Sequence, residues 1–347
     1  MQLLDGDFLL QIDGSYGEGG GQILRYAVAL SVFTKKPVEI TNIRARRSTP
    51  GLRPQHLTAI SCMKTLCNAE TDGLSIGSSK LTFSPGEIQP GEYSFDVGTA
   101  GSITLVFQAC ILSALQTTKP ITIRIMGGTD VKWSPSWEYF TNIFLPMIQK
   151  MGVKIDTKLI KRGYFPKGGG EAFITIFPTK QIKHLQLNER SEFNKIKGII
   201  HISNLPSHIS RRMKHTAIKQ ALSSNIQTSI QIDESTSFSP GVGITLWSKS
   251  DSAILGSTVI GEKGMPAEQI GENAVSQLVE EINAGANIDT FAIDQLLPYM
   301  AIADDTSVCR IRYLSSHTET AMWLLKQFLD VEFQMGKQNG SITLMVK

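Results

Sequence analysis

The sequence predicts a mixed α/β fold in which a βαβαββ unit occurs three times and a small α/β domain is inserted. Two Lys-Pro pairs begin at Lys36 and Lys119, a separation of 83, and each follows a strand, a small-residue turn and an apolar helix. A shared offset across several elements is typical of a duplicated unit. The chain also becomes more polar over residues 185–259. We therefore assign residues 1–184 and 260–347 to a large domain of three units and residues 185–259 to the insert.

The first unit begins with a strand at residues 8–12 and a glycine-rich turn before an apolar helix at 23–33. Lys36-Pro37 ends that helix, because proline cannot continue it. The remaining elements are predicted as a strand at 38–43, a helix at 54–67 and short strands at 74–76 and 80–83.

The second unit repeats this order, and the elements after it follow the same hydrophobic periodicity. Its predicted strands lie at 93–97, 121–125 and 172–177, and its helices at 103–115 and 137–151. The insert contains strands at 196–202, 226–232 and 243–248 and a basic helix at 207–223. The third unit contains a helix at 267–283, a strand at 308–314, a helix beginning near residue 317, and strands at 332–335 and 341–346.

The composition describes a globular protein with no strong bias toward a polyanion. The chain of 347 residues is 41% hydrophobic and has a formal net charge of +3, so any polyanion site must come from a local cluster. Its four cysteines lack CxxC spacing and are predicted to be reduced core residues (Cys62, Cys67, Cys110 and Cys309). We expect no signal peptide and no membrane span, and therefore a cytoplasmic protein.

Ser316 and Glu319 near the C-terminus have the spacing of a capping box, which places His317 at the first position of a helix. Unpaired backbone amides at a helix start attract anions, and a neutral imidazole there is suited to attack on phosphorus. The alternative is a surface histidine at a helix end.

Two other segments are candidates for binding phosphate. The turn from Gly14 to Gly21 lacks both the Walker A lysine and the last glycine of a dinucleotide fingerprint, but glycine-rich turns can hold phosphate with backbone amides. Glu18 within it is free to bind a metal ion or to orient a proton. Arg44, Arg46, Arg47 and Arg53 offer bidentate donors, although a strand would place Arg44 and Arg47 on opposite faces. A structural turn and a solvated basic loop are the respective alternatives.

Together these segments resemble the RNA 3′-terminal phosphate cyclase family over nearly the whole chain. The matching segments are residues 14–25, 53–57, 98–108, 127–130, 163–170, 294–298 and 316–320. The resemblance implies three repeated units with a small insert, and a three-step reaction. A histidine attacks ATP to give histidyl-AMP, AMP passes to the 3′-phosphate of an RNA, and the 2′-hydroxyl then closes a 2′,3′-cyclic phosphate.

The resemblance assigns roles to individual positions of this chain. It implies that His317 is the nucleophile and that Glu18, Arg25, Arg44 and Arg47 are needed for catalysis. It further implies an adenylate site made by Gln108, Pro135, Phe291, Asp294 and Gln295. An RNA site is implied at Arg44, Arg47 and Gln55. Mg²⁺ or Mn²⁺ is expected to arrive with ATP and to contact Glu18, and a homodimer is left open.

Two other functions share parts of this pattern. One branch of the family lacks the nucleophilic histidine and acts in ribosomal RNA processing, whereas this chain retains His317. Enolpyruvyl transferases share the repeated architecture but form no histidine adenylate. Labelling with α-labelled ATP distinguishes the cyclase from both.

Overall fold

The computed structural model describes residues 9–338 and 340–347, with the side chain of Gln338 left out. The predicted strand at 8–12 is observed at Leu10–Asp13, and Phe8 lies outside the described residues. The described chain forms four small sheets with helices packed between them, which confirms the mixed α/β class.

The first sheet is built from the N-terminal quarter of the chain. It comprises β1 (Leu10–Asp13), β2 (Val38–Thr41), β3 (Glu70–Asp72) and β4 (Leu81–Ser84), in the order β1-β2-β4-β3, with α1 (Gly21–Thr34) and α2 (Pro54–Cys67). Strands β1 and β2 are parallel and the other pairs are antiparallel. The strand predicted at 74–76 is wrong, because Gly73 and Gly77 both have positive φ and turn this segment away from the sheet.

The second sheet has the same strand order and directions as the first. It comprises β5 (Gly91–Asp96), β6 (Ile121–Gly127), β7 (Ile155–Lys161) and β8 (Gly170–Ile176), in the order β5-β6-β8-β7. Its helices are α3 (Ile103–Ala114) and a helix in which α4 (Trp137–Tyr139) and α5 (Leu145–Lys150) are joined by a π-helical segment (Phe140–Phe144). Strand β7 was not predicted, because this edge strand is mostly exposed and lacks a clear apolar alternation.

The insert forms a sheet of its own. It comprises β9 (Lys195–Ser203), β10 (Gln227–Ser235), β11 (Gly241–Lys249) and β12 (Ile254–Ile260), in the order β10-β9-β11-β12, with α6 (Ser207–Ser223). Helix α7 (Ala267–Ala284), predicted as part of the third unit, instead packs against α6 and β12. Its buried stripe requires an apolar partner, and the insert sheet provides one.

The last sheet has three strands and the helix that carries His317. It comprises β13 (Ser307–Ile311), β14 (Phe333–Gln338) and β15 (Ser341–Val346), in the order β13-β15-β14, with α8 (Ile293–Ala301) and α9 (Ser316–Phe328). An isolated parallel bridge joins Gln186 to Val308 on the open side of β13. Gln186, at the start of the segment assigned to the insert, therefore adjoins the sheet that follows the insert.

Helices from three of the sheets meet in one apolar core. Helix α1 packs against α2, α3 and α9, and α8 packs against α3, α5 and α9. The N-terminal ends of α1 and α9 are consequently held side by side, and the candidate site lies there. All four cysteines are buried and free, as predicted. Among the described residues, no helix is long and apolar enough to cross a membrane.

Candidate active site

Helix α9 begins one residue earlier than the capping-box pattern predicts. Ser315 is the N-cap, and its Oγ accepts a hydrogen bond from the Thr318 backbone N–H at 3.1 Å. The predicted cap at Ser316 is therefore wrong. Because Ser316 lies inside the helix, its hydroxyl is free to donate to the Glu18 carboxylate. His317 becomes the second helical residue and projects from the first turn.

The imidazole of His317 lies between two side chains of the first unit. Its Nδ1 is 3.1 Å from Oε1 of Gln22, and its Nε2 is 3.3 Å from Oε2 of Glu18. About half of the side chain is exposed (49%), so a ligand can reach the ring from solvent. Helix packing thus joins a residue of the C-terminal helix to residues almost 300 positions earlier.

The orientation of Gln22 determines which ring nitrogen of His317 carries the proton. Gln22 Nε2 donates to Oδ2 of Asp294 at 3.1 Å, and this hydrogen bond fixes the orientation of the Gln22 amide. The amide oxygen of Gln22 therefore faces His317 and requires a proton on Nδ1. In the neutral ring with Nδ1 protonated, the lone pair is on Nε2, and this nitrogen is free to react when the Glu18 carboxylate, 3.3 Å away, turns from it to bind a cation.

Asp294 is held in a partly buried position in the first turn of α8. Burial raises the pKa of its carboxyl group to about 7, although the nearby Arg25 charge acts in the opposite direction. Its backbone carbonyl accepts a hydrogen bond from the Tyr26 hydroxyl at 3.3 Å. Asp294 and Gln22 together form a relay of hydrogen bonds from α8 through α1 to the histidine on α9.

Glu18 is fixed as a carboxylate beside the histidine. Its Oε1 accepts the Ser316 hydroxyl proton, and its Oε2 lies 3.4 Å from Nη2 of Arg47. The Ser316 hydrogen bond, followed by the charges of His317 and Arg47, lowers the pKa of Glu18 despite partial burial. Glu18 is therefore ionised at neutral pH and is able to bind a cation.

The glycine-rich turn is packed directly against α9. Gly17 has a φ of +56°, and a Cβ there would be 2.3 Å from Oγ1 of Thr320, so only glycine fits. Beside it, the rings of Tyr16 and Trp323 stack with centroids 3.9 Å apart. These contacts fix the position of Glu18 relative to His317.

The arginines that follow β2 occupy a turn and not a strand, so they do not alternate between two faces. Arg46 Nη1 donates to the Gly17 carbonyl at 3.2 Å, and Arg47 contacts Glu18. Arg44 instead donates to the carbonyls of Thr49 and Gly51, which closes its own loop. Arg44 is thus drawn away from His317, whereas Arg47 lies close to it.

A second group of basic residues surrounds the start of α1. Arg25 Nη1 and the His56 ring approach Gly21, where a Cβ would lie 3.0 and 2.3 Å from them. His56 is buried, and its Nδ1 accepts the Arg53 backbone N–H at 3.3 Å. Burial, and then the charges of Arg25, Arg44 and Arg53, lower the pKa of His56 to about 3. His56 is therefore a neutral cap of α2.

A cavity of about 610 Å³ opens beside His317, a size suited to a small-molecule ligand. Seven of the predicted site residues line it: Arg25, Gln108, Pro135, Phe291, Asp294, Gln295 and His317. Within it, Gln108 Nε2 donates to Gln295 Oε1 at 2.5 Å, and Phe291 is 55% exposed. Glu18, Arg44, Arg47 and Gln55 lie outside the lining of this cavity.

Gln55 lies on the other side of the arginine loop. Its Oε1 accepts the backbone N–H of Ser102 at 3.1 Å, which ties the start of α2 to the small-residue turn before α3. Ser102 is itself the N-cap of α3. Gln55 therefore borders the site on the side where the two N-terminal units meet.

The candidate site offers few ligands for a metal ion. Among the described residues, one group of three side chains has metal-ligand spacing, Asp130, Glu138 and His201, and it is buried around Arg162. At the histidine, Glu18 is the carboxylate available. One carboxylate together with substrate phosphates is a common way to bind Mg²⁺, so Glu18 fits the metal role predicted for it.

Three residues that contribute to this geometry were not assigned roles from the sequence. Gln22 and Ser316 orient His317 and Glu18, and Trp133 is 93% exposed at the cavity rim. Gln22 and Arg25 are one helical turn apart on α1, and this spacing was the available signal for a shared face.

A half-exposed histidine at a helix start, with guanidinium groups and a ligand-sized cavity beside it, is typical of enzymes that act on phosphate groups. The comparisons make the class specific. The family model described as RNA 3′-terminal phosphate cyclase matches residues 16–335, and the chain belongs to this family.

Similar proteins named RNA 3′-terminal phosphate cyclase occur in both archaea and bacteria. The chain is 42% identical to the protein of Methanosarcina barkeri over 97% of its own length and 100% of that relative. It is 41% identical to the protein of Nitrosospira multiformis, over 97% and 96% of the two chains. It is 40% identical to the protein of Pyrococcus furiosus, over 94% of this chain and 95% of that relative.

Proposed function

We infer that this chain is an RNA 3′-terminal phosphate cyclase that uses ATP to convert an RNA 3′-phosphate into a 2′,3′-cyclic phosphate. Membership of the family and nearly full-length identity to proteins of that name support the activity. The observation that carries the mechanism is His317, a half-exposed ring whose Nδ1 faces Gln22 and whose Nε2 lies 3.3 Å from the Glu18 carboxylate. We propose that this nitrogen is the nucleophile.

In the first step, Nε2 of His317 attacks the α-phosphorus of ATP, a P–N bond forms, and pyrophosphate leaves with the electron pair of the broken P–O bond. The ring becomes cationic while AMP is attached. Gln22 Oε1 accepts the proton on Nδ1, and the Glu18 carboxylate lies beside the developing charge. Both contacts favour the charged ring over the neutral one.

In the second step, a 3′-phosphate oxygen of the RNA attacks the phosphorus of histidyl-AMP, and His317 departs as a neutral ring. The 2′-hydroxyl then attacks the 3′-phosphorus, AMP leaves with the electron pair of the P–O bond, and the hydroxyl proton passes to solvent. Activation is needed because a phosphate monoester would otherwise have to expel an oxide, whereas AMP is a stable leaving group.

The other site residues are proposed to bind and orient the two substrates. Arg25 and Arg47 are placed to bind phosphate oxygens, since both lie beside the glycine turn. Pro135 and Phe291 offer apolar surfaces for the adenine, and Gln108, Asp294 and Gln295 offer polar contacts in the same cavity. Arg44 acts by fixing its loop, and it reaches RNA only if its bonds to Thr49 and Gly51 break.

A divalent cation, Mg²⁺ or Mn²⁺, would be held by Glu18 together with phosphate oxygens and would supply neutralisation of the triphosphate charge. The low pKa of Glu18 keeps this carboxylate ionised for that purpose.

We also propose that the fold consists of three repeated units, the third interrupted by the insert. Matching strand order and directions in the first two sheets support duplication. The bridge between Gln186 and Val308 supports an interrupted third unit, because the first residues of the segment assigned to the insert (185–259) lie beside strand β13. Helix α7 packs onto the insert sheet.

The decisive experiment is incubation with α-labelled ATP followed by mass spectrometry of the peptide that contains His317. We expect one acid-labile AMP on His317, and no label after His317→Ala. The matched control is His215, another exposed histidine, which lies on α6. The variant His215→Ala should label normally. Full labelling of His317→Ala would refute the nucleophile assignment. An enolpyruvyl transferase, or a family member limited to ribosomal RNA processing, should never label.

A further inference from the structure

The hairpin loop between β7 and β8, residues 163–170, has no part in the steps above. Hydrogen bonds hold the loop on its buried side. The buried Tyr164 hydroxyl lies 2.8 Å from Nδ1 of His201, and Gly168 N donates to the Tyr164 carbonyl at 2.8 Å. Lys167 N also donates to Oγ of Ser239 in the insert at 3.1 Å. A loop anchored at several points presents its outward side chains in a fixed arrangement.

Those outward side chains are aromatic and basic. Phe165 is 76% exposed and Lys167 is exposed, both in the loop itself. Phe238 of the insert is 62% exposed and lies against Gly169, where a Cβ would be 2.3 Å from its ring. Lys161 Nζ lies 4.6 Å from the centre of the Phe238 ring. We call these four residues, Lys161, Phe165, Lys167 and Phe238, the hairpin surface.

The hairpin surface is connected to the candidate active site by direct contacts. Gly168 lies against the turn before α3, where its Cβ would be 2.6 Å from the Thr99 carbonyl. At the end of that turn, Ser102 N donates to Gln55 at 3.1 Å. Gln55 adjoins the Arg53 and His56 group at the start of α1. An RNA strand whose 3′ end lies at the arginines can therefore continue along this turn to the hairpin.

The chemistry of the hairpin surface fits single-stranded RNA better than it fits a protein partner. Exposed rings stack on bases of any sequence, and lysines beside them attract the phosphate backbone. Residues 163–170 contain no acid. Glu171, the next residue, is paired with Arg124 at 2.8 Å, and Asp233 of the insert is paired with Arg162 at 2.5 Å, so both carboxylate charges are largely compensated.

We propose that the hairpin surface binds the nucleotides immediately upstream of the RNA 3′ end, with bases stacked on Phe165 and Phe238 and phosphates beside Lys161 and Lys167. This rests on the proposed function, because it takes the 3′ end to lie at His317. It also assigns a task to the insert, which supplies one of the two rings.

The test compares a 3′-phosphorylated dinucleotide with a 3′-phosphorylated RNA of about twelve nucleotides, a length within the range that such surfaces cover. For Phe165→Ala and Phe238→Ala, we expect KM for the longer RNA to rise about tenfold each, since base stacking has roughly this value. KM for the dinucleotide and labelling by ATP should not change. Lys167→Ala should weaken the dependence of binding on salt.

Two matched controls distinguish this surface from general effects. Leu222→Ala removes another exposed apolar residue of the insert, and Lys158→Ala removes another exposed lysine of β7. Both should behave as wild type. Equal effects on the short and long RNAs, or no effect on either, would overturn the proposal.

Binding of the fluorescent longer RNA without ATP separates this proposal from the proposed function. If the wild-type protein never forms histidyl-AMP but Phe165→Ala and Phe238→Ala still weaken RNA binding, the mechanism fails and the surface stands. If labelling is normal and RNA binding is unaffected by both substitutions, the surface fails alone.

Discussion

At the scale of single residues, the reactivity that we propose for His317 depends on its hydrogen-bond partners. An imidazole attacks through whichever nitrogen lacks the proton, so a residue that fixes the proton on Nδ1 also selects Nε2. Gln22 can do this only because Asp294 fixes its amide. Reactivity thus depends on a side chain that carries no charge and that no short motif would single out.

We predict that Gln22→Leu lowers the rate of histidyl-AMP formation by about 100-fold or more, by analogy with the loss seen when a catalytic histidine is left in the wrong tautomer. The cause is loss of the acceptor for Nδ1–H, with little change in ATP affinity. A rapid-quench experiment with α-labelled ATP measures the rate of histidyl-AMP formation.

Ser31→Ala, a buried substitution elsewhere on α1, serves as the control for damage to the helix. An adenylylation rate for Gln22→Leu within a few-fold of wild type would show that the Gln22 contact is dispensable.

At the scale of elements, the start of α9 decides what Ser315 and Ser316 do. The pattern from Ser316 to Glu319 matches a capping box, yet Ser315 caps the helix and Ser316 bonds to Glu18. Two adjacent serines are equally good caps by type. The packing of the glycine turn on α9 selects between them, because it places a carboxylate beside Ser316.

We therefore predict that substitutions of the two serines affect different properties. Ser315→Ala removes the cap and should lower the free energy of unfolding by about 1 kcal/mol. Ser316→Ala should leave stability almost unchanged but raise the pKa of Glu18, because its strongest hydrogen bond is lost. Chemical denaturation measures the first effect, and NMR titration of the Glu18 carboxyl measures the second. The reverse pattern of stabilities would place the cap at Ser316.

At the scale of the whole molecule, a buried ionic cluster joins the insert to the second unit. Arg162 contacts Asp130 at 3.0 Å and Glu138 at 2.5 Å, both buried, and Asp233 of the insert at 2.5 Å. Burial opposes ionisation of Asp130, but the Arg162 charge and the hydrogen bonds from the Thr129 hydroxyl and the Trp137 backbone N–H hold its pKa below the usual value. The cluster fixes the insert where it can support the hairpin surface.

We predict that Arg162→Met destabilises the protein by about 3–5 kcal/mol, since removing one partner leaves buried charges uncompensated. Thermal or chemical unfolding measures it. Arg212→Met, which breaks an exposed pair with Glu268, is the matched control and should change stability little.

The contribution of Asp130 to stability is present above its pKa in the unfolded state and is lost as the pH falls through its lower folded value. The difference between wild type and Arg162→Met should therefore shrink in acid. A stability loss as small as that of the control would mean that Arg162 is not needed to compensate these carboxylates.

The sequence alone determined the α/β class, most helix limits and the family, and it predicted seven residues that line the cavity. Helix α2 was predicted at its observed limits, because apolar periodicity and Pro54 are local signals. Strand β7 and the position of α7 were missed, because exposure at a sheet edge and the choice of packing partner depend on neighbours distant in sequence.

Only the tertiary structure decided how the candidate site residues are arranged. It showed Arg44 bonded to its own loop, Ser315 as the cap, and Gln22 between His317 and Asp294. The physical reason is the same in each case. A side chain's hydrogen-bond partner is whichever group the packed helices bring within about 3 Å, and residue type and spacing along the chain do not contain that distance.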